Sequence, residues 1–190
     1  FDELPETATV LDGNSCLSNV DLDALSDLIE ANGLVDDSIA LEVGNQTWNG
    51  GRLFILQASY SPSGTDGVNT QLTTLPESFG NLSELASLYL EWNSLDSLPN
   101  SFSQLTSLSS FTINNNWLTS LPEDFGNINQ LYFLDLGYNQ ISSIPESICQ
   151  LVSLQYLYLF NNQLDSIPEC ICELNIDWSG FDGGNFPYFG

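Results

Sequence analysis

The sequence predicts an α/β solenoid: a coil of 23-residue units with a parallel β-sheet on its concave face and a helical cap at its N-terminal end. Three observations predict it. Asn93, Asn116, Asn139 and Asn162 recur every 23 residues, and Pro76, Pro99, Pro122, Pro145 and Pro168 keep the same spacing. Between these markers, leucine, isoleucine and phenylalanine occupy fixed places. Self-similarity at a period of about 20–50 residues is the mark of a chain whose units cannot bury their apolar faces alone and must stack to do so.

Each position of the unit has a physical reading. One coil runs Leu85, Leu88, Leu90, Asn93, Leu95, Leu98, Pro99, Phe102 and Leu105. The next runs Leu108, Phe111, Ile113, Asn116, Leu118, Leu121, Pro122, Phe125 and Ile128. Two further copies start at Leu131 and Leu154. The apolar alternation at Leu88 and Leu90 makes a short strand whose leucines face the core. The asparagine stands where the chain turns inward, placing its amide within reach of backbone groups that have no ladder partner there. Proline cannot sit in a central parallel ladder, so it marks the start of the convex return. There Phe79, Phe102, Phe125, Ile148 and Ile171 form an apolar spine.

This pattern, L-x-x-L-x-L-x-x-N-x-L-x-x-L-P-x-x-F-x-x-L, resembles the leucine-rich repeat family over residues 52–174. The resemblance implies a right-handed leucine-rich-repeat coil that displays a binding surface and is not an enzyme. A short acidic helix and strand ahead of such repeats is similar to the arrangement in secreted bacterial leucine-rich repeat proteins.

Outside the regular coils the reading goes element by element. Residues 21–32 suit an amphipathic helix, with Leu22, Leu25, Leu28 and Ile29 on one face. Asp21 suits the N-cap, Val20 a hydrophobic staple on Leu25, and Gly33 a left-handed C-cap. Residues 39–43 alternate like a strand, and residues 1–51 together are expected to cap the first coil. That coil is degenerate. Leu72 follows Leu53 by 19 residues, where Leu95 follows Leu85 by ten. The extra residues fall within 59–69, a Gly/Ser/Pro-rich stretch expected to form a mobile surface loop outside the core. Core density should rise toward the middle coils, so truncating Leu134 should cost more than truncating Leu56. Residues 175–190 read as a degenerate last coil with an aromatic tail. The chain opens at Phe1 rather than Met, as a processed chain would.

Charge narrows the function. One arginine, Arg52, stands against 25 carboxylates, with no lysine and no histidine, for a net charge of −24. Nucleic acid and anionic membrane are therefore excluded as partners, because both need clustered cations. The lack of histidine removes the usual acid/base residue and a common zinc ligand. No cofactor and no metal are expected. Glu123, Glu146 and Glu169 form a column one coil apart, read as a solvated polar face. Asn45-Gln46-Thr47 and Asn81-Leu82-Ser83 match the glycosylation sequon.

The expected binding surface lies on the concave side, at the strand positions between the leucines. Tyr89, Trp92, Phe133, Tyr138, Tyr156, Tyr158 and Phe160 should share one exposed sheet, and a contiguous aromatic cluster marks an interaction surface. The partner would be a protein or a glycan, for a secreted or cell-surface adhesion module. The alternative is a structural subunit that self-assembles by packing coil end to coil end. Of four cysteines, Cys149 and Cys172 lie 23 residues apart. They are expected to stack on consecutive coils as a disulfide, leaving Cys170 free or paired outside this chain. Cys16 and Cys170 lie about five coils, roughly 24 Å, apart and cannot join.

Overall fold

The computed structural model describes residues 4–13, 16–34, 39–62 and 67–176; the expected degenerate coil and tail from 177 onward lie outside the described residues. Seven strands form one sheet in chain order: β1 (Ala8–Val10), β2 (Asn45–Asn49), β3 (Arg52–Gln57), β4 (Ser87–Tyr89), β5 (Ser110–Thr112), β6 (Phe133–Asp135) and β7 (Tyr156–Tyr158). From β3 to β7 every pairing is parallel with equivalent residues in register, Leu88 against Phe111 and Phe111 against Leu134. That register is the 23-residue period made physical. The inward residues Leu56, Leu88, Phe111 and Leu134 are fully buried.

The repeated asparagine closes each coil on its neighbour. Asn116 Nδ2 donates to Leu90 O (2.9 Å) and Ile113 O (3.1 Å), while its Oδ1 accepts from Leu95 N at 2.9 Å. Asn93 and Asn139 repeat the arrangement, and all three are buried. One amide thus satisfies three backbone groups where the strand ladder ends, groups that burial would otherwise leave unpaired. After each proline the convex return makes a short 3₁₀ helix, as at Glu77–Asn81 and Asn100–Gln104. The spine stacks beneath these turns. Phe79, Phe102 and Phe125 lie nearly parallel, with centroids 6.5 and 6.2 Å apart.

The N-terminal region departs from expectation in three places. Helix α1 spans Asn19–Asn32 and begins after Ser18, so Asp21 is not its N-cap. Asp21 is instead fully buried and takes Arg52 in a two-pronged pair, Nε to Oδ2 at 2.9 Å and Nη2 to Oδ1 at 2.8 Å, plus Leu53 N at 2.8 Å. The single cation of the chain thereby ties α1 to β3. Val20 is 51% exposed and does not serve as a staple, whereas Gly33 does close the helix at φ 61°. Ala24, Leu25 and Leu28 bury the inner face of α1, which packs on the turn at Glu77–Asn81.

Residues 39–43 form no strand. Ala40–Glu42 is a 3₁₀ turn, whose Ala40 and Val43 carbonyls accept from Gln46 Nε2 (2.7 and 3.0 Å) rather than from a neighbouring strand. The strand is β2, and it pairs antiparallel with β3. Gly50 and Gly51, both at positive φ (60° and 77°), make the two-residue turn between them. The Asn49-Gly50-Gly51 run was the signal for that hairpin.

The inserted stretch is not wholly outside the core. Val68 is 1% exposed, bridges to Tyr60, and exchanges backbone bonds with Ser59 and Ser61. Residues 63–66 lie outside the described residues.

Candidate functional site

Strands β6 and β7 carry most of the ring-bearing surface. Register places Phe133 beside Tyr156 and Asp135 beside Tyr158, all pointing away from the leucine core. The rings interlock. Phe133 lies 6.1 Å from Tyr156 and 5.5 Å from Tyr158, and Tyr158 meets Phe160 edge-on at 6.2 Å. Tyr132, which the sequence reading passed over, adds an edge contact to Tyr156 at 5.2 Å and is 42% exposed. Phe160 lies over Gly137, where a Cβ would meet the ring at 2.6 Å, so the glycine makes room for it. Tyr89 is half-buried on β4, with Gln57 and Thr112 beside it in the sheet.

Beside the rings the sheet is acidic. Glu91 accepts from Thr112 Oγ1 at 2.7 Å and from the Ser59 hydroxyl. Asp135 accepts from Asn114 Nδ2 at 2.8 Å and Gly137 N at 2.9 Å. Burial raises the pKa of Asp135, these two hydrogen bonds oppose the rise, and the charge of Glu91 adds to it. Burial likewise raises the pKa of Tyr158, with the charge of Asp135 second. The surface is an aromatic plate with a partly desolvated carboxylate beside it.

Two residues expected on that sheet are not on it. Trp92 and Tyr138 follow the strands in the left-handed region, at φ 62° and 53°. Asn115 and Asn161 make the same turn in the alternate coils, at 57° and 54°. The turn must reverse the chain ahead of the buried asparagine, which rotates these side chains to the rim. Left-handed backbone costs an ordinary L-residue about 1–2 kcal/mol, and asparagine tolerates it best after glycine. Trp92 (60% exposed) and Tyr138 (52%) instead border a groove of about 430 Å³, whose far rim carries Trp117, 56% exposed. Tyr138 still touches the plate through Phe160, edge-on at 5.2 Å.

The cysteine pairing also differs from expectation. Cys149 is bonded to Cys170, with Cα atoms 5.6 Å apart, and Cys172 is free and exposed. The convex return is inclined to the sheet, so the neighbour in the next coil lies 21 residues on, not 23. Gly80 faces Ser101 and Gly126 faces Ser147 by the same offset, and Ser147 Oγ accepts from Gly126 N at 3.1 Å. Glu123, Glu146 and Glu169 are all exposed. Among the described residues one group of metal-type ligands comes together, Glu146 with Cys149 and Cys170, and the disulfide occupies both sulfurs. No helix among the described residues is long and apolar enough to cross a membrane.

The model of the family described as "Leucine rich repeat" matches residues 107–164. No curated protein matches the sequence. Among solved structures, a leucine-rich repeat protein of Leptospira interrogans is 39% identical over 58% of the chain, with a TM-score of 0.54. The chain spans 29% of that protein's length. The leucine-rich repeat ectodomain of the receptor kinase SOBIR1 from Arabidopsis thaliana is 24% identical, with 84% of this chain and 90% of that one covered at a TM-score of 0.66. The plant peptide hormone receptor RGFR1, in complex with RGF2, is 28% identical over 58% of this chain and 19% of its own, at a TM-score of 0.51.

Proposed function

Because this chain belongs to the leucine-rich repeat family, we propose that it is a recognition module that holds a protein partner on the concave aromatic plate and performs no chemistry. One observation carries the reading: Tyr132, Phe133, Tyr156, Tyr158 and Phe160 form a continuous ring cluster on a hydrogen-bonded sheet, each ring packed against another. Rings held in place lose little side-chain entropy on binding, and aromatic side chains dominate the energetics of protein interfaces. The similarity to a plant peptide hormone receptor supports a polypeptide ligand. Asp135 and Glu91 beside the rings, in a chain of net charge −24, favour a segment bearing apolar side chains together with lysine or arginine.

The disulfide supports an extracellular or cell-surface setting, since such bonds persist in oxidising compartments. Nucleic acid and anionic membrane are not proposed as partners, for want of cations. Selection from a displayed peptide library tests the reading. Enriched peptides should be basic and apolar, and should lose binding to the chain carrying Tyr156→Ser and Tyr158→Ser. Peptides that bind wild type and double variant alike would move the site elsewhere.

A further inference from the structure

The residues that line the rim groove follow a rule. Two columns of side chains, each repeating every 23 residues, flank the buried asparagines Asn93, Asn116 and Asn139. One column is Trp92, Asn115, Tyr138 and Asn161; the facing one is Gln71, Ser94, Trp117 and Gln140. Backbone bonds between coils hold both margins. Trp92 N donates to Asn114 O (3.1 Å) and Tyr138 N to Phe160 O (2.9 Å), while Trp117 N donates to Leu95 O (2.8 Å). Three successive coils therefore present one exposed ring each, on alternating margins, with amide side chains in between.

Charge decides what such a groove can take. None of its lining residues is a carboxylate or a cation, in a chain that carries 25 carboxylates. A ligand there is neutral, offers flat apolar faces to the rings and offers hydroxyl-type donors and acceptors to the amides. Polypeptide backbone meets the second requirement but not the first in a regular way; a sugar chain meets both. Successive coils advance by about 4.8 Å, close to the length of one pyranose unit in an extended chain. In a β-1,4-linked chain each unit is turned over relative to the last, so its apolar C–H face looks alternately to one side and the other. Rings on alternating margins match that alternation.

We propose that this groove binds an extended, neutral β-1,4-linked polysaccharide lying along the solenoid axis, stacked on Trp92, Trp117 and Tyr138 and hydrogen-bonded by Gln71, Asn115, Gln140 and Asn161. The groove lies beside the concave plate and touches it through the Tyr138–Phe160 contact. Trp92→Asn, Tyr138→Asn and Trp117→Gln test it, each installing the residue that the chain itself uses at the same place in another coil. These variants should melt no lower than wild type. The probes are cellohexaose and chitohexaose, followed by calorimetry and tryptophan fluorescence, with insoluble cellulose and chitin in sedimentation. At least one probe should bind wild type, and each single variant should weaken it by about tenfold, the scale of losing one well-buried aromatic contact. The chain with Tyr156→Ser and Tyr158→Ser should bind the sugar unchanged, which separates this site from the concave plate. No binding to any of these probes, equal binding by the variants, or binding only to an acidic polymer such as polygalacturonate would overturn the proposal.

Discussion

At the residue scale two carboxyl groups are held by opposite means. Asp21 is fully buried but answered by Arg52 and by Leu53 N. The guanidinium's pKa is raised chiefly by its hydrogen bond to Asp21. Removing one partner of such a pair strands the other charge, so Arg52→Ala should cost about 3 kcal/mol in urea denaturation, whereas Asp21→Asn with Arg52→Met should cost less. Equal losses would show that packing, not charge, holds the junction. Asp135 is the reverse case, a carboxyl whose folded-state pKa lies above its unfolded value because of burial. The ionised form is disfavoured in the fold, so the penalty is absent below the unfolded pKa and grows as pH rises through the folded one. Asp135→Asn should therefore raise the melting temperature at pH 7, and the gain should vanish at pH 3. A variant less stable at pH 7 would mean that its bonds from Asn114 and Gly137 outweigh the burial cost.

At the element scale the convex turns set their own register. Cys149 and Cys170 tie together two neighbouring coils across the convex side. In the chain-entropy model a bridge over 21 residues stabilises by about 3 kcal/mol. Cys170→Ser should lower stability by that order and speed hydrogen exchange in β7, while Cys172→Ser should change stability by less than about 0.5 kcal/mol. Non-reducing mass spectrometry of the Cys170→Ser chain should find no bond between Cys149 and Cys172, because Cys172 is exposed and offset from the facing turn. If that bond forms in good yield, the 21-residue register is wrong. The N-terminal hairpin offers a similar lesson. Period-two alternation in residues 39–43 suggested a strand, but Gln46 bonds the carbonyls of Ala40 and Val43, and the pairing partner of β3 comes from the residues before Gly50-Gly51.

At the scale of the whole molecule, stability is shared among stacked coils, each touching its neighbours. Leu134 and Leu56 are both fully buried, and Leu56 lies between β2 and β4 with Val68 also inside the core. The expected gradient of core density therefore has no basis at Leu56, and Leu→Ala at either site should cost about 2–5 kcal/mol by chemical denaturation. A loss under about 1 kcal/mol at Leu56 would restore the gradient. The sequence alone determined the coil, its asparagine ladder, its phenylalanine spine and the outward rings Phe133, Tyr156 and Tyr158, because those depend on periodicity, and a period maps directly onto facing positions. Tertiary structure alone decided the partner of Arg52, the cysteine pairing and the removal of Trp92 and Tyr138 from the sheet to a groove. The last two depend on angles that the period does not encode, the tilt of the convex return and a left-handed φ that swings a side chain from the face to the rim; the first depends on how α1 lies against β3.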